Sequence, residues 1–276
     1  MKRLLLTLSI IVLGIAGNAQ LKTPAPSTGQ TIKQDFGLST IELSYSRPNM
    51  KGRKIMGDLV PFDKVWRTGA NGATTLTFGD DVTIGGKNIP AGKYGLLSIP
   101  GKTSWILIIT KQTNVTSPAA YKQEEDVVRV NAKVNTVGMK AETFTMQFAN
   151  VKPETCELHI RWDNVMVALP IKTDVDSKVM AAIDAAMKTE KPPYFQAAAY
   201  YLENNKDINK ANEWFAKAAD ANPNAYWVKY QQARALAKAG KKAEARQVAL
   251  KSKELAIAGK NEDYVKLNEK FLAELK

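Results

Sequence analysis

Over residues 38–171 apolar and polar side chains alternate with a period of two. Ile41, Leu43 and Tyr45 alternate with Glu42, Ser44 and Ser46, and Phe144, Met146 and Phe148 alternate with Thr145 and Gln147. Cys156, Leu158, Ile160 and Trp162 alternate in the same way with Glu157, His159, Arg161 and Asp163. Each pattern predicts a strand with one wet face. Shorter apolar runs at 74–78, 82–84, 94–99, 104–110, 127–134 and 165–169 are separated by turn signals at Gly85-Gly86, Pro90-Ala91-Gly92 and Pro100-Gly101. Short strands at this spacing, with no helix between them, predict an antiparallel β-sandwich over 20–172, a barrel being the alternative. The stretch 113–126 reads as a long irregular loop.

After Lys172 the period changes to 3.6. Thr173 or Asp174 is placed to cap a helix running to about Glu190, with Val175, Val179, Ile183 and Met187 on one face. Pro192-Pro193 breaks the chain. The region that follows carries a tetratricopeptide-like pattern: Phe195, Ala199, Leu202, Ala211, Phe215, Ala218 and Pro223. Ala233, Leu236 and Ala245 repeat Ala199, Leu202 and Ala211 at an interval of 34, and later positions decay to Ala249, Ser252 and Ile257. Residues 261–275 read as a closing helix with Tyr264, Leu267, Phe271 and Leu272 inward. The fold class is therefore β plus α: a sandwich domain, then an α-helical tetratricopeptide-like region over 173–276 whose flanking helices cover its open ends.

The beginning of the chain adds a leader. Lys2 and Arg3 precede an apolar run over 4–16, which ends at Gly17-Asn18-Ala19, the three parts of a secretory signal. The run is short for a transmembrane span. Cleavage after Ala19 makes 1–19 a signal peptide, leaves Gln20 first, and places the protein in the periplasm or outside the cell. Gln20 is not Cys, so no stable membrane anchor is expected once the leader is cut.

Charge narrows the partners. The formal net charge is +12, falling to +10 without Lys2 and Arg3, which favours anionic partners, and export argues against nucleic acid. The 45% hydrophobic content is that of a packed globular chain. Cys156 is the single cysteine, so no intramolecular disulfide forms, and its place on the apolar face marks it as a small core residue.

The densest chemistry lies at 45–71, YSRPNMKGRKIMGDLVPFDKVWRTGAN. Arg47, Lys51, Arg53, Lys54, Lys64 and Arg67 outnumber Asp58 and Asp63, and the prolines and glycines among them predict a structured loop. One reading is an anion site. Arg53 and Arg67 offer planar forks, Asn71 an amide, Trp66 a stacking wall, and Arg47 a further cation. In the other reading the two arginines tie loop carbonyls to the sandwich end and Trp66 plugs the core.

Tyr45-Ser46-Arg47-Pro48, Lys51-Gly52-Arg53, Gly57, Val60-Pro61, the run Val65-Trp66-Arg67-Thr68-Gly69-Ala70-Asn71, and Ile89-Pro90-Ala91-Gly92 with Tyr94 resemble the signature of domain of unknown function 2911. The resemblance covers about residues 30–171. That family consists of exported Bacteroidetes proteins, often followed by helical repeats, and the resemblance implies an exported β domain. With no established activity in the family, it implies no catalytic residue. Related chains tend to carry an aromatic-rich segment where this one has Ser117-Pro118-Ala119-Ala120-Tyr121, so a site using that loop is reshaped here.

Enzyme signatures are thin. His159 is the single histidine and falls on a polar strand face, so a Ser-His-Asp triad would have to use it with no nucleophile identified. No His or Cys cluster and no glycine-rich phosphate loop occur, and no metal or cofactor is predicted. Asp80-Asp81 reads as a turn pair. Trp105 and Trp162 read as core, and Trp214 and Trp227 as helical packing. The helices from Tyr226 onward carry twelve Lys or Arg against six Asp or Glu, a solvated face or a surface for an acidic partner. Two functions follow: an exported, non-catalytic binding or scaffold protein of the envelope, whose repeat helices take a protein partner, or a hydrolase of anionic or glycan substrates using acids such as Asp58 and Asp63.

Overall fold

A computed structural model describes residues 23–275; the leader predicted over 1–19 lies outside the described residues. The chain divides into two compact units, with the boundary between Asp174 and Val175.

The first unit holds two antiparallel sheets. β1 (Thr28–Phe36), β2 (Ser39–Arg47), β3 (Thr75–Phe78), β6 (Gly92–Ile99), β7 (Ser104–Thr110) and β8 (Asp126–Lys133) form a six-stranded sheet in that order. The second sheet runs β5 (Lys87–Ile89), β4 (Val82–Ile84), β10 (Thr155–Lys172), β9 (Asn135–Ala149). The predicted alternation decides which faces meet. Ile41, Leu43 and Tyr45 of β2, Leu107 and Ile109 of β7, Phe144 and Met146 of β9, and Leu158, Ile160 and Trp162 of β10 share one buried cluster. A smaller cluster of Leu97, Ile108 and Val115, with Tyr121 packed against it, occupies the other face of the six-stranded sheet, under the 113–126 loop.

Three strand features depart from the sequence pattern. β1 was not predicted, because its nine residues TGQTIKQDF are mostly exposed and hold too few apolar side chains to show a period; pairing with β2 along its whole length makes it a strand. β5 is missed for the same reason, with Ile89 its one buried residue. The strands read separately at 156–163 and 165–169 are one strand, β10. The pairing of β10 with β9 shifts register on both sides of Asp163, which has φ 51°. A bulge there exchanges inward and outward faces. Even-numbered residues point inward from Cys156 to Trp162, and odd-numbered ones, Val167, Leu169 and Ile171, point inward afterwards.

The second unit holds six helices among the described residues: α1 (Asp176–Ala186), α2 (Tyr194–Glu203), α3 (Ile208–Ala221), α4 (Tyr226–Lys238), α5 (Lys242–Ala258) and α6 (Glu262–Glu274). α3 and α5 begin 34 residues apart, at Ile208 and Lys242, and Ala211 and Ala245 are both fully buried at 0% exposure. Ile183 of α1 packs with Ala198, Tyr201, Leu202 and Phe215 of α2 and α3, so α1 covers the first hairpin.

Several helix details are corrected. α1 starts later than predicted and its N-cap Val175 makes no side-chain cap bond, because Thr173 instead donates to the Asp81 carbonyl at 3.0 Å. It ends at Ala186, short of Glu190. On α6 the inward face is rotated. Leu267 is 41% exposed, and the neighbouring Asn268 is fully buried. The cause is a polar relay: Asn268 Nδ2 donates to Ser252 Oγ at 3.0 Å, and Ser252 Oγ donates to the Tyr226 carbonyl at 2.8 Å, tying α6 to α5 and α4. The serine that interrupts the repeat pattern is thus paired, as a buried hydroxyl must be. Trp214 is buried edge-on against Tyr201, whereas Trp227 is 42% exposed and contributes little to the helical core.

Candidate functional site

The basic stretch between β2 and β3 forms no helix or strand of its own and is fastened to both sheets. At its start, Met50 N–H donates to the Glu142 carbonyl at 2.8 Å, Lys51 N–H donates to the Glu142 carboxylate at 2.8 Å, and Phe144 N–H donates to Pro48 at 2.8 Å. At its end, Asp63 N–H donates to Pro100 at 2.8 Å, and Trp66 and Ser98 exchange both backbone bonds at 2.7 and 2.9 Å. Ile55 and Val60 are buried between these anchors and hold the middle of the loop in the core. A loop stitched at both ends and pinned at its centre is a rigid scaffold for side chains.

Backbone strain concentrates here. Lys51, Asp63, Thr68 and Asn71 all have positive φ, from 49° to 58°. Thr68 is the most costly of these, since a β-branched side chain fits the left-handed region poorly. It is fully buried and held by bonds from its hydroxyl to Ser98 Oγ at 2.9 Å and from Thr74 Oγ1 to its carbonyl at 2.7 Å. Strain over-determined by its surroundings is a feature of ligand sites.

A cavity of about 740 Å³ opens beside this stretch. Lys51, Arg53, Lys64 and Arg67 line it, and no Asp or Glu does. Its remaining wall is largely apolar, including Leu59, Val65, Pro61, Pro118 and the indoles of Trp66 and Trp162. Those two indoles stack with ring centroids 6.0 Å apart and planes 15° from parallel, while Trp66 also meets Trp105 and Phe144 edge-on. Trp162 lies in a strand and core as expected, yet also borders the cavity.

Of the candidate residues, the structure brings Arg53, Trp66, Arg67 and Asn71 to one cavity. Arg47 is not among its lining; its guanidinium donates to the Phe144 carbonyl at 3.2 Å and to Thr145 Oγ1 at 3.0 Å, where it straps β2 to β9. Arg53 and Arg67 both bond backbone carbonyls while lining the cavity. Arg53 donates through Nε to Met50 at 2.9 Å and through Nη2 to Asn49 at 2.7 Å, and Arg67 donates through Nη1 to the Thr116 carbonyl. Asn71 Nδ2 donates to the Ser27 carbonyl at 2.9 Å. The bonds orient the forks and leave Arg53 Nη1 and Arg67 Nε and Nη2 without a protein acceptor among the described residues. Lys51 and Lys64, cations of the same stretch, lie outside the candidate set drawn from the sequence. Neither ammonium has an ion-pair partner among the described residues, and both line the cavity.

The remaining chemistry is structural. His159 is less exposed than a polar strand face predicts, because its ring pairs with Glu157 at 2.7 Å. That bond, with a second from Asn150, holds the Glu157 carboxyl below its ordinary value. The small cavity beside His159, about 140 Å³, contains no serine; its Thr145 hydroxyl already donates to the Thr143 carbonyl. Asp80 and Asp81 serve a turn, the Asp81 carboxylate accepting from Ala91 N–H at 2.9 Å. Among the described residues, no group of three or more His, Cys, Asp and Glu is placed to hold a metal ion, and no helix is long and apolar enough to cross a membrane.

Cys156 is 2% exposed, and burial, reinforced by the nearby Glu157 charge, pushes its thiol up to about 12. We predict that a disulfide reagent labels it only as fast as the β unit opens. Labelling at the rate of a small-molecule thiol at neutral pH would contradict this. Because the folded value lies above the unfolded one, ionisation of this thiol weakens the fold only as pH rises from the ordinary thiol range through about 12.

The fold and cavity together define a β-sandwich protein with an acid-free basic pocket at one loop, carried on a chain with a separate helical unit. Residues 27–171, more than half of the chain, match the family described as "Protein of unknown function (DUF2911)", and the chain belongs to it. No curated protein and no solved structure matches.

Proposed function

We propose that the sandwich is a non-catalytic binding module and that the cavity beside the basic loop takes an anionic ligand. The observation that carries this reading is the lining: among the described residues, four cations and no carboxylate in a largely apolar hollow. Holding like charges together without an acid costs free energy that an anion would return. The hydrolase alternative needs a carboxylate facing the ligand, and Asp58 and Asp63 are both outside the lining.

Lys64→Gln is the cleanest probe, because its ammonium has no partner to lose among the described residues. The variant is expected to match the parent in stability to within about 0.5 kcal/mol. In a thermal-shift titration at constant ionic strength, sulfate should raise the parent's melting temperature saturably, by an amount that grows with concentration over Kd, and raise the variant's less. Equal shifts in both proteins, or none in either, would refute the site.

Export is part of the same proposal, supported by the leader pattern at 1–19. Mass spectrometry of protein from its natural host should find Gln20 as the first residue. An intact Met1 on the cell-resident form would refute it.

A further inference from the structure

We infer that the ligand of this cavity is an anion carrying a rigid, ring-bearing apolar body, and not a small inorganic anion; the inference rests on the anion reading above. Size is the first reason. A volume of about 740 Å³ lies within the roughly 300–1,000 Å³ of sites that enclose drug-sized organic ligands. Sulfate or phosphate would meet the cations and leave most of the apolar wall against water.

The wall chemistry decides the kind of body. Half-buried Trp66 and exposed Pro61 and Pro118, with Trp66 held against the buried Trp162, give the wall side chains that have little or no freedom to lose on binding. A ring system is equally rigid, so neither partner is ordered at large entropic cost, whereas an acyl chain must freeze many rotors to lie on the same surface. A glycan is disfavoured by the polar groups. Recognition of sugar hydroxyls calls for several unengaged amides or carboxylates, yet no carboxylate lines the cavity, Asn49 Oδ1 already accepts from Thr143, and Asn71 Nδ2 already donates to Ser27. The cations then recognise the head group, Lys51 and Lys64 as point charges and the two arginines as forks.

Calorimetric titration of the full-length protein with matched probes tests this. Naphthalene-2-carboxylate is expected to bind at least about 100-fold more tightly than acetate, since each buried methylene-sized group is worth roughly fourfold. 2-Naphthylmethylammonium, the same body with the opposite charge, should not bind measurably. Leu59→Asn changes a half-exposed apolar lining residue without opening the core, and should weaken the naphthoate about tenfold while leaving acetate unchanged. Acetate binding as tightly as the naphthoate would overturn the ring-bearing ligand and leave the anion site standing. The ammonium compound binding as well as the carboxylate would overturn the anion site itself, as would failure of every probe. Decanoate or glucuronate binding more tightly than the naphthoate would overturn the rigid-ring class in favour of an acyl chain or a sugar acid.

Discussion

Replacing Trp162 with Ala is expected to destabilise the β unit by about 3–5 kcal/mol, the range for removing a large aromatic side chain from a core. Trp162 is 2% exposed, stacks on Trp66 and meets Phe144 edge-on at 5.6 Å, so its loss leaves a hollow that none of these rings can fill without leaving its own contacts. The lost indole bond is the smaller term. Trp162 Nε1 donates to the Glu142 carbonyl at 3.2 Å, but that carbonyl also accepts from Met50 N–H and stays satisfied. Trp227→Ala, at a 42% exposed position in the helical unit, should cost about 0.5 kcal/mol or less. Urea titrations followed by circular dichroism compare the two. A loss at Trp162 no larger than that at Trp227 would mean the aromatic cluster does not hold the sandwich together.

The second large effect is expected from the smallest substitution, Gly95→Ala. Gly95 lies in β6 between β3 and β7, and a Cβ built there would stand 2.1 Å from the Gln112 carbonyl oxygen. Backbone cannot rotate aside as a side chain can, so strand β6 or the 111–122 segment must shift, at a cost of about 2–3 kcal/mol. Gln112 is also a brace: its Oε1 accepts from Lys122 N–H at 2.7 Å and its Nε2 donates to the Ala120 carbonyl at 3.0 Å. That segment supplies Thr116, Ser117 and Pro118 to the cavity wall. Gly95→Ala should therefore weaken sulfate binding as well as the fold, measured by the same thermal-shift titration. Unchanged stability and unchanged binding together would show that the loop is not held against β6 in this way.

The sequence made the sandwich legible wherever strands have one buried face, because burial on one side of a pleat enforces a period of two. It failed in two informative places. β1 is an edge strand with few apolar residues, and its existence depends on backbone bonds to β2 that leave no mark in side-chain type. β10 looked like two strands because the bulge at Asp163 reverses the parity of its apolar residues. In the helical unit, hydrophobicity alone put Leu267 inside and overlooked Asn268, whose burial depends on a serine sixteen residues earlier.

At the candidate site, composition alone indicated the basic loop, and Arg53, Arg67, Trp66 and Asn71 do share a cavity. What the sequence could not show is that Arg47 turns to β9, and which carbonyls Arg53 and Arg67 brace while lining the hollow. The Arg47 and Arg67 contacts depend on Phe144, Thr145 and Thr116, distant in sequence from the loop, whereas Arg53 bonds Met50 and Asn49 within it.

We propose this hollow as the anion site. The most direct test is to follow the five indole N–H signals of tryptophan-labelled protein by nuclear magnetic resonance while sulfate replaces chloride at constant ionic strength. Saturable movement of the Trp66 and Trp162 signals is expected, with Trp214 and Trp227 stationary. Static Trp66 and Trp162 signals throughout the titration, or movement led by the helical tryptophans, would contradict it.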